Sequence, residues 1–229
     1  VFLNEDNHKK KIIFHPKMLP EIAILDPSLT LNLPKGITAG TGMDALAHCI
    51  EAFSSPFYHP MAEGTAVEGL RLVKENIQEV YHNGSNIEAR AHMLVASMMG
   101  AAAFQKGLGA IHSITHPVNS LYHTHHGTTN GTVMPFVLNF NRSVIEKKFD
   151  RLAKFLNISN GFEGVVNWII ELKKEMEIPE TLKEMGVKKG DEVKLAPLAQ
   201  EDPSTGGNPL EMSEDKFQEL ILNCIEGNY

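Results

Sequence analysis

Residues 107–127, GLGAIHSITHPVNSLYHTHHG, carry five of the chain's eleven histidines, and the rest of the sequence reads as scaffolding that brings partners to them. His112, His116, His123, His125 and His126 fall within fifteen residues, and the flanking sequence is apolar and small rather than polar and repetitive. Such a density marks a site rather than a solvated surface. His112 and His116 stand four apart, an offset that puts two side chains on one face of a helix, one turn apart.

Upstream, Asp44 and His48 repeat that offset. Thr41, with Asp44 three places on, has the pattern of a capping box, and Ala45, Leu46, Ile50, Ala52 and Phe53 follow as an apolar face. This helix is expected to stop before Pro56. Ala66, Val67, Leu70, Val73, Ile77 and Val80 recur at three- and four-residue spacing and predict a second helix over 61–81. A third is predicted over 86–105. Its run from Ala96 to Ala103 offers so little polar surface that a central position is expected. Further helical patterns cover 131–140, 144–156, 164–176 and 215–224, and residues 202–209, DPSTGGNP, form the clearest loop.

The first forty residues differ. Residues 11–14 and 21–25 are strand-like runs separated by a proline-bounded turn from His15 to Pro20. Two strands do not make a stable sheet alone, so these are expected to complete a sheet belonging to something larger. The class expected is mainly α with a short β segment at the start.

A chain of 229 residues with 42% hydrophobic content has enough apolar material for a substantial core. Its formal charge of -7 argues against a nucleic-acid or anionic-membrane partner, which would reward basic patches. No run approaches the roughly 20 apolar residues of a membrane span, and the first residues lack the pattern of a signal peptide. A soluble, cytoplasmic protein is expected. Cys49 and Cys224 lie far apart with no CxxC pair, which indicates neither a disulfide framework nor a thiolate zinc site.

Asp44, His48, His112 and His126 make one carboxylate and three imidazoles on different helices, a nitrogen and oxygen set suited to Fe(II) or Zn(II). Each also has a plainer reading. Asp44 suits a helix cap, His48 a packed core position, and His116 marks the kink expected at Pro117. His8, His15, His59, His82, His92, His123 and His125 have no partner at a telling spacing and are expected to be structural or at the surface. Glu63 and Glu68 are read as solvated helix positions rather than ligands. Gly40-Thr41-Gly42 and Gly107-Leu108-Gly109 do not complete a dinucleotide fingerprint, and no nucleophile elbow, phosphate loop or HExxH motif is present.

The segment TAGTGMDALAHCIEAF (38–53), followed by GLGAIHSITHPVNSLYHTHHGTTNGTVMPFVLNFN (107–141), resembles the iron-containing (group III) alcohol dehydrogenases, the family of lactaldehyde reductase and 1,3-propanediol dehydrogenase. The resemblance runs from the LDP at Leu25 to the TGGNP at Thr205. It implies a two-domain enzyme with an α/β nucleotide-binding domain followed by a helical domain. Residues 1–35 would then be the terminal strands of the cofactor domain and a linker, and 36–229 the helical metal-binding domain.

The resemblance also implies metal ligation by Asp44, His48, His112 and His126, a nicotinamide-side ribose contact from Lys10, and a place in the cleft for His116 as a substrate-orienting or proton-relaying group. The implied reaction is NAD- or NADP-dependent interconversion of a small primary alcohol or diol and its aldehyde. The implied assembly is a homodimer or higher oligomer. The chain departs from the family's usual HPLG at His116-Pro117-Val118-Asn119, from PHGVANA at 125–131, and from NPR at Asn208-Pro209-Leu210. A metal-dependent hydrolase and a non-catalytic metal-binding helical module remain open. Within the superfamily so do a glycerol-dehydrogenase-like and a transhydrogenase activity.

Overall fold

The computed structural model describes residues 2–4, 9–11, 13, 15–18 and 20–229. Two three-residue strands, β1 (Phe2–Asn4) and β2 (Lys9–Lys11), pair antiparallel, with Leu3 opposite Lys10. Single 3-10 turns at Pro16–Met18 and Pro27–Thr30 lead into eight α-helices among the described residues. These are α1 (Lys35–Ser54), α2 (Pro60–His82), α3 (Ile87–Ala103), α4 (Ala110–Tyr122), α5 (His126–Phe155), α6 (Gly161–Glu175), α7 (Glu192–Gln200) and α8 (Glu214–Glu226).

The strand-like run at 21–25 forms no strand. Ile22 and Ile24 are 80% and 85% exposed, because no strand among the described residues offers them a ladder or a covering face. Of the run at 11–14, Lys11 ends β2, while residues 12 and 14 lie outside the described residues. The pairing instead joins Phe2–Asn4 to Lys9–Lys11, a hairpin the alternation did not point to.

Side chains cap the start of four helices. His59 Nδ1 accepts from the Ala62 N–H and Asn86 Oδ1 from that of Ala89, satisfying first-turn donors of α2 and α3. His125 Nδ1 and Ser213 Oγ do the same for α5 and α8. Helix α1 begins earlier than expected, directly after Pro34. Thr41 is therefore inside the helix, its hydroxyl donating back to the Ile37 carbonyl, and no capping box forms with Asp44. The patterns at 131–140 and 144–156 are one helix, α5, that runs through Pro135. Helix α7, with Pro197 inside it, was missed because its short apolar pattern is broken by that proline.

Helix α1 is the hub. It packs against α2, α3 and α5, and Met43, Leu46, Ile50 and Phe53 are essentially inaccessible. Helix α5 carries the core onward to α4, α6 and α8, with Phe149 set edge-on to Phe53 and tilted against Phe162. The apolar run of α3 is not central: Ala96, Gly100 and Ala103 face inward, but Met98 is 45% exposed and Ala101 and Ala102 face outward. Small residues there serve close approach on one face only. Cys49 and Cys224 are buried free thiols. Among the described residues, no single helix is long and apolar enough to cross a membrane.

Candidate metal centre

Beyond the first turn of α1, the residues that escape burial are Thr41, Asp44 and His48. Their three- and four-residue spacing puts them on one face, and Glu51, a turn further along that stripe, is buried beneath α4. Helix α4 is docked there by its own N-terminal donors. The Ala110 N–H donates to Asn208 Oδ1 at 3.2 Å and the Ile111 N–H to Glu51 Oε1 at 2.7 Å. Asn208 is itself held by reciprocal amide bonds to Asn141, so the 202–209 loop is part of the site's frame. Helix α4 ends at His123 in the left-handed conformation (φ 53°), and His126 opens α5 only three residues later. At that point α5 meets α1 at closest approach, because Gly127 and Gly40 have no side chains to hold the helices apart.

These elements bring Asp44, His48 and His112 together, one donor atom from each lying within 4.8 Å of the others. His126 Nε2 stands 3.3 Å and His112 Nε2 3.9 Å from Asp44 Oδ1. Neighbouring donors around a metal bound at about 2.1 Å lie roughly 3–3.4 Å apart, so this is a slightly open version of such a set. The His48 and His112 rings stack at 4.8 Å, and His116 stacks on His126 at 5.5 Å.

Hydrogen bonding decides which ring nitrogens are available. Glu51 Oε2 accepts from His112 Nδ1 at 2.5 Å, Asn119 Oδ1 from His126 Nδ1 at 2.9 Å, and Asp202 Oδ2 from His116 Nδ1 at 2.7 Å. With Nδ1 protonated, His112 and His126 present the lone pair of Nε2 to the centre. Asn130 Nδ2 is 2.7 Å from Asp44 Oδ1 and 3.3 Å from each of those Nε2 atoms, but an amide has two protons for three acceptors. Among the described residues, His48 Nδ1 is also buried without a hydrogen-bond partner. The centre therefore holds more lone pairs than protons, and the donor set fits a borderline divalent cation such as Fe(II) or Zn(II).

The electrostatics agree. Burial pushes the Asp44 carboxyl up, but once the neighbouring rings are protonated, an N–H from His126 and the imidazolium charges of His48, His126 and His112 outweigh it and hold the group well below the usual carboxylate range. Burial is the main influence on His48 and lowers it to about 4, so its imidazole is neutral at pH 7. An unfolded histidine takes its proton near 6.5, so the stability contributed by neutral His48 is complete above that pH and is lost as pH falls towards 4. For the chelator-treated protein this is worth about 3 kcal/mol between those limits. Urea midpoints across that window should fall for wild type and fall less for His48→Gln; parallel curves would mean that His48 is not held neutral.

The other singled-out residues take ordinary roles. His59 and His125 cap helices, His82 pairs with Glu175, His92 meets Asn76, and His15 accepts from the Lys17 N–H. His8 lies outside the described residues. Glu63 is ion-paired with Lys106 and Lys148, and Glu68 with Arg71. Lys10 is on β2, which runs beside α4. Sequence reasoning missed Glu51, Asn119, Asn130 and Asp202. Glu51 had a signal, its place on the Asp44–His48 stripe; the others are brought in by turns and loops that no periodicity reveals.

The sequence matches the model of the Fe-containing alcohol dehydrogenase family, C-terminal, over residues 38–225. It is 38% identical over 222 residues to a 4-hydroxybutyrate dehydrogenase of Cupriavidus necator, covering 93% of this chain and 58% of the relative. It is 35% identical over 224 residues to an NAD-dependent methanol dehydrogenase of Bacillus methanolicus, covering 94% and 59%. The crystal structure of a 1,3-propanediol oxidoreductase superposes with a TM-score of 0.83 at 31% identity, covering 87% of this chain and 55% of that one. The chain thus spans somewhat over half the length of these relatives. With the helical fold and the Asp44–His48–His112 cluster already in place, the chain belongs to the Fe-containing alcohol dehydrogenase family and corresponds to its C-terminal domain.

Proposed function

We propose that this chain is the metal-bearing part of an NAD- or NADP-dependent oxidoreductase that interconverts a small primary alcohol or diol and its aldehyde. The observation that carries the reading is the surplus of lone pairs at one point: Asp44, His112 and His126 converge on a single amide nitrogen that has too few protons for them. In this reading Asp44, His48, His112 and His126 hold Fe(II) or Zn(II). When bound, the metal supplies Lewis acidity towards a substrate oxygen, and the nicotinamide supplies or accepts the hydride.

The chain's own residues do the rest. Glu51 and Asn119 keep His112 and His126 in the ligating tautomer. Asp202 orients His116, whose ring stacks on His126 and which we assign to orienting substrate or relaying its proton. Lys10 is assigned to the nicotinamide-side ribose, which makes residues 1–35 the end of a cofactor-binding domain and a linker, with residues 36–229 as the helical domain. The names of the relatives support a short alcohol, diol or ω-hydroxy acid as substrate and NAD as cofactor. Assembly as a homodimer or higher oligomer belongs to the same proposal.

The test is metal removal from the full-length protein. Prepared without chelator it should carry close to one iron or zinc per chain and reduce NAD or NADP with propanol or 1,3-propanediol. Chelation should abolish turnover, and Fe(II) or Zn(II) should restore it. Metal without nicotinamide-linked turnover would favour the hydrolase or the non-catalytic module. Failure to bind any divalent metal would overturn the reading altogether.

A further inference from the structure

His126 is the most exposed of the clustered ligand candidates, with about a third of its side chain accessible, and it sits at the first position of α5 directly after a tight connection. Within α5 its ring meets Asn130 Nδ2 at 3.3 Å from Nε2, an amide shared with Asp44 and His112, and that contact leaves Nδ1 unaddressed. The fixing group comes from the last turn of α4, where Asn119 stands in place of the glycine that the family pattern suggests. Asn119 Oδ1 lies 2.9 Å from His126 Nδ1, while its Nδ2 lies 2.6 Å from Thr124 Oγ1 and 3.0 Å from Thr129 Oγ1.

The direction of each of these bonds follows from counting protons. Thr129 Oγ1 is 3.0 Å from the His125 carbonyl, an obligate acceptor, so its one proton goes there. Thr124 Oγ1, 2.9 Å from Thr129 Oγ1, must then donate to it. Both hydroxyl protons are now committed, and each oxygen still has a lone pair facing Asn119. The group of Asn119 that faces them must be the NH2. The carbonyl end is thereby turned to His126, and the only partner it accepts at Nδ1 is an N–H. A reversed amide would face Nδ1 with a donor, demand its lone pair, and move the neutral ring's proton to Nε2, the atom 3.3 Å from Asp44 Oδ1.

We propose that Asn119 is a positioning residue that, through the chain Asn119–Thr124–Thr129–His125 carbonyl, fixes the orientation and tautomer of His126 so that Nε2 is offered to a divalent cation. The inference rests on the metal reading above for its consequence, though not for the tautomer itself. It makes the two histidine anchors unequal. Glu51 holds His112 with a carboxylate, whereas Asn119 holds His126 with a neutral carbonyl, so the latter ring is the less electron-rich ligand and the first to let go.

Two readouts on the full-length protein test this. The first is the side-chain 15N–1H correlation of His126 in metal-free protein at a pH where imidazoles are neutral. Wild type should show the proton on Nδ1, Asn119→Leu a mixture or the Nε2 form, and Asn119→Asp, which keeps an acceptor, the wild-type form. The second is zinc affinity by chelator competition. Asn119→Leu should bind roughly 10–100-fold more weakly, with Asn119→Asp within about tenfold of wild type. If Asn119→Leu does not fold, Thr129→Val removes an acceptor for the amide and tests the same orientation. An Nε2–H tautomer in wild type would overturn the proposal, as would an Asn119→Leu protein that folds and matches wild type in both readouts. A wild type that binds no zinc would sink the metal reading instead, and the metal-free tautomer would still decide the role of Asn119.

Discussion

Gly127→Ala should abolish tight metal binding and destabilise the protein by about 3 kcal/mol or more. A Cβ at Gly127 would lie 2.0 Å from the Gly40 carbonyl oxygen, 2.6 Å from its carbon and 2.9 Å from Asp44 Cβ. The first two are backbone atoms of α1 and have no rotamer with which to retreat. Restoring normal contact requires α1 and the start of α5 to separate by more than about 1 Å, at the upper end of what overpacking a dense interior costs. The strain falls where the site is least tolerant. Gly127 follows His126, and Gly40 is one turn before Asp44, so the separation opens the 3.3 Å gap between His126 Nε2 and Asp44 Oδ1 directly. Losing that donor should weaken zinc more than the roughly 10–100-fold attached to outer supports. The measurements are a urea midpoint and chelator competition on the same preparation. Loss of affinity with full stability would mean that α5 yields only in its first turn; no change in either would mean that the helices do not cross at these glycines.

This crossing also shows where the sequence was legible and where it was not. The offsets 44/48 and 112/116 could be read directly because helical periodicity converts spacing into a shared face, and the structure places Asp44, His48 and His112 together. Most helices were legible for the same reason, since α2 and α3 bury an apolar face against α1, and α6 and α8 against α5. The start of α1 was misjudged because Thr41 satisfies both local readings, a cap or a hydroxyl bonded back into its own helix, and only the packing of residues 38–40 selects the second. The split of α5 at 140–144 failed because Asn139, Phe140, Asn141 and Arg142 read as a break in amphipathicity. There Asn141 turns inward to Asn208, so a polar residue occupies a buried position of an unbroken helix. Sequence placed α3 at the centre from hydrophobicity alone, yet its outward alanines and Met98 lie at the surface. The groups that fix the ring nitrogens were illegible in a stronger sense. Asn119, Asn130 and Asp202 act through acceptor and donor directions, which depend on loops and on the meeting of three helices.

Glu51 is the support whose loss should be felt most widely, and its two natural replacements should separate structure from ligation. The carboxylate is 5% exposed in the last turn of α1, and its side-chain partner is the His112 ring. It is held by charge-assisted hydrogen bonds from the Ile111 N–H and His112 Nδ1, and by the positive N-terminal end of α4 on which both donors sit. Glu51→Ala leaves both donors buried without partners and opens a void between α1 and α4. The void and the two orphaned donors together are expected to cost about 3–5 kcal/mol, with α4 free to rotate and zinc binding lost. Glu51→Gln keeps the volume but replaces one acceptor by a donor. The Ile111 N–H is fixed by the backbone and claims the remaining oxygen, so the new NH2 faces His112 Nδ1 and requires its lone pair. His112 must then carry its proton on Nε2, the atom aimed at the centre. Glu51→Gln should therefore lose only about 1 kcal/mol of stability and yet bind zinc roughly 10–100-fold more weakly. A glutamine variant with wild-type affinity would show that the His112 tautomer is not set by Glu51. An alanine variant as stable as wild type would show that α4 is held by Asn208 and its apolar face, and that the buried carboxylate is there for the metal alone.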